Sequence, residues 1–400
     1  MFWGSWAVAT ADVRTTYGFS NAQLGLLLAG AVTVSGIGGA VVGNRAERWG
    51  TVRTLTWALI VWAVLLVLAG ASGTAGEFVP AFIAAMAAGG CVDMTMNAAS
   101  ASRLAGTPGS LVRFHGIFNI GALVGAVLLG MLVDAGGSWR WAWPAIAVLA
   151  LPLAAWVRLR GADVDPEGRT DAGGSRRPAA DPVAAAAART GPEPLVGQLV
   201  TDGEGHLPFL RSLGILRSDG LVGLLVIFAA AEIVEGGVDT WGVLFLRTDL
   251  GADALVGAAA YAAGQSVAIA TRILAGPSLG RIGPRLGVVV GAGCACLGLT
   301  LEATAGSAAL AGAGLALAAG GAAVFWPLLM ATATTAASRP TATVSTFTAA
   351  GYLGWVAGAP VIGLLADAWG LAAGLAVIAA LAGAVAVSMV VFRRLDPAAH

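Results

Sequence analysis

Residues 121–137 read GALVGAVLLGMLVDAGG, and residues 354–370 read GWVAGAPVIGLLADAWG. At an offset of 354 − 121 = 233 the two runs share Gly121/Gly354, Gly125/Gly358, Gly130/Gly363, Leu132/Leu365, Asp134/Asp367, Ala135/Ala368 and Gly137/Gly370. The same offset relates GNRAERWG at 43–50 to GPSLGRIG at 276–283, through Gly43/Gly276, Arg48/Arg281 and Gly50/Gly283. Two distant segments sharing one offset mark a tandem repeat, so the chain reads as two similar halves.

The composition says what kind of halves these are. Of 400 residues, 58% are hydrophobic and 11% charged, against roughly 45–50% and about 25% in soluble domains. No soluble core hides that much apolar surface, so lipid must serve as the solvent. The 58 glycines suit close helix approach in a bilayer, where packing rather than the hydrophobic effect drives association. Runs of about 20 apolar residues fall near 1–17, 22–43, 53–73, 78–102, 113–134, 141–159, 220–246, 253–275, 286–305, 308–336, 342–366 and 371–392. The expected fold is an all-α membrane protein of twelve transmembrane helices in two pseudo-symmetric bundles of six. One bundle spans 1–160 and the other 219–400, with a cytoplasmic linker at 161–218.

That linker is rich in Pro, Gly, Ala, Arg and Asp and has no apolar periodicity, the pattern of a disordered segment; a short amphipathic helix fits around 207–217. Arginine placement orients the chain. One set of alternate loops, with the linker, holds 18 arginines, and the opposite loops hold only Arg14, Arg140 and Arg247. Both termini are therefore expected in the cytoplasm, and the protein in the inner (plasma) membrane as a multi-pass chain. The first span is short, since 11 residues precede Asp12, about 17 Å of helix. Without a basic leader it does not read as a signal peptide; a first helix clipped by a late start site accounts for it better.

Several chemistries are excluded. All 22 basic residues are arginine, so an ATP-binding P-loop lysine and Schiff-base catalysis are both missing. His115, His206 and His400 are scattered, which removes zinc-hydrolase motifs. Cys91, Cys294 and Cys296 lie in apolar runs and read as packing residues. No metal and no cofactor is expected.

Ionisable groups at lipid depth are expensive and mark pathways by default. Asp93 sits in the middle of the fourth span, with Asn97 and Ser100 at i+4 and i+7 on the same face. Glu232, Glu235 and Asp239 in the seventh span fall within about 60° on a helical wheel, and three like charges that close favour proton binding or a wet cavity. In the eighth span Tyr261, Gln265 and Arg272 follow i, i+4, i+11 along one stripe, Gln265 being suited to hydrogen-bonding a polar solute. Arg272, at the cytoplasmic end, reads as a snorkelling gate residue. Asn119 lies one turn after His115, which has a gating or relay position. Tyr352 and Trp355 can stack on a solute or simply pack. Gly43, Glu47, Arg48, Gly50 and Arg53, with Arg281 in the repeat, read as a charged cytoplasmic gate, although arginine-rich loops also follow from topology alone.

The runs SWAVATADVR, FSNAQLGLLL, GCVDMTMNAAS, RFHGIFNIGALVGAVLLG, VEGGVDTW, YAAGQSVAIATRILAG and GYLGWVAGAPVIGLLAD resemble the major facilitator superfamily, in particular its bacterial inner-membrane branch related to the fucose permease. Parallel six-helix repeats are that superfamily's architecture. The resemblance implies an acidic proton carrier around Asp93 and a cavity lined by the first, fourth, seventh and tenth helices. It also implies a loop motif, of which this chain keeps Gly43, Glu47, Arg48, Gly50 and Arg53 but has Val52 in place of a basic residue; the repeat has Gly280 in place of the acid. The Arg-Ile-Pro usual in the first helix is replaced by Ala9, Thr10 and Ala11, which removes an arginine contact there.

The resulting expectation is a proton-coupled symporter of a small polar, sugar-like solute, not an enzyme. Its partners would be that small molecule, protons and the lipid bilayer, with no nucleic acid, and it would act as a monomer. The alternative is a proton-coupled drug or metabolite efflux antiporter. Such proteins carry Gly-x-x-x-Gly-Pro-x-x-Gly-Gly in the fifth helix, where this chain has Gly121 and Gly125 followed by Ala126 and Val127. A membrane enzyme or sensor has no motif to stand on.

Overall fold

The computed structural model describes residues 1–104, 108–161 and 209–391, all of it helix and short connection with no strand among the described residues. In chain order the helices are α1 (Phe2–Tyr17), α2 (Asn21–Trp49), α3 (Thr51–Ala71), α4 (Ala75–Leu104), α5 (Pro108–Asp134), α6 (Ala142–Arg160), α7 (Phe209–Ser218), α8 (Val222–Thr248), α9 (Ala254–Ala303), α10 (Ala308–Ala322), α11 (Phe325–Ala336), α12 (Pro340–Trp369) and α13 (Leu371–Val391). Helix is the only open-ended element that satisfies its own backbone in lipid. Pro80, Pro152 and Pro360 sit inside helices, as membrane helices tolerate.

Among the described residues, ten stretches are long and apolar enough to cross a membrane. The two remaining members of the twelve-helix fold are α1, with 16 residues, and α8, whose Glu232, Glu235 and Asp239 interrupt its apolar run. α9 holds two spans, Ala254–Ile273 and Gly283–Ala303, run together across a single non-helical residue, Gly283 (φ 77°, ψ 154°). The tenth span is not one helix as the hydropathy suggests. It breaks between α10 and α11 because Pro327 has no N–H for the Ala323 carbonyl four residues earlier. The short helix expected near 207–217 is α7; the rest of the linker, 162–208, lies outside the described residues.

The repeat is visible in the backbone. Left-handed glycines recur at the 233-residue offset: Gly18 (φ 66°) with Gly251 (φ 65°), and Gly50 (φ 86°) with Gly283 (φ 77°). These are turns only glycine enters cheaply. One register differs from the sequence match, because the left-handed residue before Gly137 is Gly136 (φ 83°), whereas its counterpart is Gly370 (φ 88°). Helix contacts repeat as well. A β-carbon on Gly130 would strike the Ala254 carbonyl and Leu255 at the start of α9, and one on Gly363 would strike the Asn21 carbonyl and Ala22 at the start of α2. Here 363 − 130 and 254 − 21 are both 233.

By internal contacts the chain forms two compact units. One comprises Met1–Ala29, Phe118–Trp139 and Leu207–His400; the other comprises Gly30–Ile117 and Arg140–His206. In the second unit Phe78, Phe82 and Trp143 stack at centroid distances of 5.4 and 5.9 Å between α4 and α6. The Arg140 guanidinium there donates to the carbonyls of Gly70 and Ser72 and holds the α3–α4 turn. Leu149, Leu151, Leu153, Trp156 and Leu159 of α6 are exposed, a lipid-facing surface in a chain of this class. In the first unit α1, the start of α2 and the second half of α5 pack with the C-terminal helices.

Candidate functional site

Most of the site residues read from the sequence in the C-terminal half converge on α8 and α9. Glu232, Glu235 and Asp239 occupy successive turns of α8, and the Tyr261–Gln265–Arg272 stripe of α9 faces them. Gln265 donates its amide to the Asp239 carboxylate at 3.3 Å. The Arg272 guanidinium reaches Glu235 at 3.4 Å and lies within electrostatic reach of all three acids. Tyr261 is buried and within reach of Asp239.

The snorkelling expected of Arg272 is therefore corrected. Its side chain is 41% exposed, yet its head turns inward, since a carboxylate and a free carbonyl were both in range. That carbonyl is Ala323's, to which Arg272 Nε donates at 3.2 Å. It is the one that Pro327 leaves without a helical partner, so the arginine of α9 ties the acids of α8 to the break between α10 and α11. Broken helices with freed carbonyls are where membrane transporters place polar sites.

α12 closes another side. The Trp355 ring lies over Gly236, next to Glu235; a β-carbon there would come within 2.8 Å of the indole. One turn earlier Gly351 makes room for Phe228, Trp326 and the stem of Glu232. Glu232 is 4% exposed, and its Oε1 has no hydrogen-bond partner. Tyr352 is half-buried on the same helix.

The remaining residues are placed separately. Asn119 is half-buried on α5 in the first unit, whereas Asp93 and Asn97 are half-buried on α4 in the second. Gly50 is the left-handed residue that starts α3, and Arg53 is exposed. The side-chain readings for Gly43, Glu47, Arg48, His115 and Arg281 lie outside the described residues. Among the described residues no group of three or more His, Cys, Asp or Glu could hold a metal ion.

Two features escaped the sequence reading. Glu302 of α9 is fully buried with neither carboxylate oxygen bonded, wedged against Gly242 of α8 and Gly314 of α10. The signal available in the sequence was the glycine pair opposite it. The second is Asp12 of α1, which receives both terminal nitrogens of Arg247, at 2.5 and 3.1 Å.

Twelve helices in two repeats, with buried charges against a broken helix, define the scaffold of a membrane transporter. The profile described as Major Facilitator Superfamily matches residues 1–356, and the chain belongs to that family. A curated relative, the membrane protein MosC of Rhizobium meliloti, is 26% identical over 399 residues, covering 98% of this chain and 86% of the relative. Among solved structures, the nucleoside transporter NupG superposes with a TM-score of 0.72 at 14% identity, covering 98% of this chain and 95% of that one. A bacterial homologue of the human lysosomal transporter Spinster, inward-facing and occupied, gives 0.70 at 16%, covering 98% and 93%. The xylose transporter XylE from E. coli, in a partially occluded inward-open form, gives 0.63 at 14%, covering 98% and 94%.

Proposed function

We propose that this membrane transporter is a proton-coupled symporter of a small polar, hydroxylated solute, working by alternating access between its two six-helix halves, 1–160 and 219–400, joined by the linker 161–218. The observation that carries the reading is the constellation Glu232–Glu235–Asp239 with Arg272 and Gln265. Three carboxylates share one guanidinium in apolar surroundings, so with every group ionised the site carries two uncompensated negative charges. Desolvating them costs several kcal/mol; protons or a hydrogen-bonding solute would relieve that cost. Protonation then decides which conformations are accessible, which is what coupling requires. Nucleoside and xylose, named as cargo for two of the structural neighbours, both carry a hydroxylated ring. Gln265, Tyr261, Asn119 and Tyr352 offer the neutral donors and acceptors for such a ring, with Trp355 as a stacking face; Asn97 is proposed as a solute contact of its own half. Asp93 would contribute a second proton acceptor from the N-terminal half. The residues Gly43, Glu47, Arg48, Gly50, Arg53, His115, Arg272 and Arg281 would form the cytoplasmic gate, with both termini on that side of the inner membrane.

The test begins with a thermal-shift screen of purified protein against sugars, nucleosides, organic acids and hydrophobic drugs. Hits are then followed into proteoliposomes under an imposed pH gradient. Uptake of a hydroxylated solute, driven by an inward proton gradient and abolished in Asp93→Asn or Glu235→Gln while exchange persists, is the expected outcome. Proton-driven extrusion of hydrophobic compounds would replace this reading with efflux.

A further inference from the structure

Glu232, Glu235 and Asp239 stand at i, i+3 and i+7 of α8, and the next place on that face, i+10, is Gly242. The four positions fall within about 80° of one another on the helical wheel. The glycine has no side chain to offer, and the Glu302 carboxyl of α9 fills its place. A β-carbon on Gly242 would come within 2.8 Å of Glu302 Oε1 and within 2.6 Å of the Leu315 side chain of α10. Close backbones hold the acid there, since a β-carbon on Gly314 of α10 would lie 2.7 Å from the Glu302 amide nitrogen. Four carboxyl groups therefore follow one line along α8, three from the helix itself and the one farthest from the linker from its neighbour. All of them belong to one compact unit.

Glu302 is fully buried, and neither of its carboxylate oxygens has a hydrogen-bond partner. The helices α10, α11 and α13, all packed against α9, carry no titratable residue. α1 brings Asp12, paired with Arg247, and Arg14. Along α8 the titratable neighbours are Asp239, Glu235 and Glu232 on the linker side and Arg247 beyond. Within α9, Tyr261 and Arg272 face the α8 acids, and Arg285 is bonded to the Met389 carbonyl. An ionised carboxylate without a donor in such surroundings costs several kcal/mol. The packed arrangement therefore holds Glu302 as the neutral acid, with a proton it can release only where water reaches it.

We propose that Glu302 is a proton-relay residue, the linker-distal end of a carboxyl ladder that delivers protons to Asp239 and onward to Glu235 and Glu232. The inference rests on the proton-coupled reading above and adds the route by which the proton arrives. Asp239 and Gly242 are about 4.5 Å apart along the helix axis, a step that one water can bridge. In the transfer the O–H bond of the Glu302 acid breaks and its proton adds to the Asp239 carboxylate. Ionised Glu302 then takes a proton from water on the linker-distal side, and nothing is oxidised or reduced. Leu315 is the seal, because it is buried and shares the space beside Gly242 with the carboxyl.

The experiment is time-resolved infrared spectroscopy on the full-length protein in lipid nanodiscs, following the carbonyl stretch of protonated carboxyl groups after a switch from H2O to D2O. Buffer below the ordinary carboxyl range keeps the ladder protonated, and difference spectra of Glu302→Gln and Asp239→Asn assign the two bands. The Asp239 band should deuterate about a hundredfold more slowly in Glu302→Gln than in wild type, and Glu302→Asp should recover most of the rate. Leu315→Ala should speed deuteration of both bands, and it leaves every acid in place, which keeps the test open should Glu302→Gln fail to fold. An Asp239 band that exchanges at the wild-type rate in Glu302→Gln, or no faster than wild type in Leu315→Ala, overturns the relay and leaves Glu302 a packing acid. So does the absence, in wild type at neutral pH, of a protonated-carboxyl band that Glu302→Gln removes. Coupling is checked separately by uptake of xylose and of the nucleoside uridine into proteoliposomes. If both are indifferent to an imposed proton gradient while the infrared result holds, the proton-coupled reading fails for those solutes and the relay stands.

Discussion

Two arginine–carboxylate pairs are arranged along α8, and they are built to opposite specifications. Arg247–Asp12 is bidentate, 10% and 24% exposed, with contacts at 2.5 and 3.1 Å. Arg272–Glu235 is a single contact at 3.4 Å, 41% and 23% exposed, and its arginine divides itself between a carboxylate and a backbone carbonyl. A fork-on-carboxylate pair out of water is a fastening, because removing one partner strands the other. A long, half-hydrated contact shared among three acids is cheap to exchange. The same residue types therefore serve as a fixture at one end of the helix and as a replaceable contact in its middle.

That contrast can be broken by experiment. The largest effect is expected on transport: Glu235→Gln and Arg272→Ala should each reduce gradient-driven uptake by about a hundredfold or more, because intramembrane charges are retained for function. Uptake in proteoliposomes within a few-fold of wild type for either variant would reduce the α8–α9 cluster to packing. Next, double-mutant cycles on thermal unfolding should give a coupling of about 3 kcal/mol for Asp12–Arg247 and about 1 kcal/mol or less for Glu235–Arg272; equal values would erase the distinction. Third, Gly363→Ala and Gly130→Ala should each lower stability by about 1–3 kcal/mol and to a similar extent, since the repeat makes them the same contact. A large inequality, measured by the same melts, would show the two halves to be packed by different rules. The smallest effect is expected for Gln265→Met, a several-fold rise in KM at near-constant kcat, because it removes one hydrogen bond of 3.3 Å.

Most of the architecture was legible in the sequence because lipid allows so few solutions: apolar length and glycine register almost dictate the helices. The break at Ala323–Val324 was hidden because hydropathy is blind to the backbone, although Pro327 carried the information. The acids of α8 stood out against an apolar run, and the α9 stripe could be read by periodicity. What periodicity cannot give is the distance between helices. Arg272 had an equally good local reading as a snorkelling side chain until Glu235 was seen beside it, and the partner of Asp12 lies 235 residues away on another helix. Glu302 was missed for the same reason, since its burial depends on Gly242 and Gly314, remote in sequence.

The matched contacts of Gly130 with Ala254 and Gly363 with Asn21 also bear on ancestry. In the present chain they are two interfaces, α5 on α9 and α12 on α2. In a duplicated gene before fusion they would be one interface counted twice, the self-complementary face of a two-fold homodimer of six-helix subunits. The left-handed glycines at 18 and 251 and at 50 and 283 are then inherited turns, kept because a side chain there strains the backbone. Asp12, Arg272 and Glu302 have Phe245, Gly39 and Ala69 at the matching positions of the other half. These three intramembrane charges are thus where the two copies have diverged, whereas Asp134/Asp367, Arg48/Arg281 and the turn glycines are where they have been held alike.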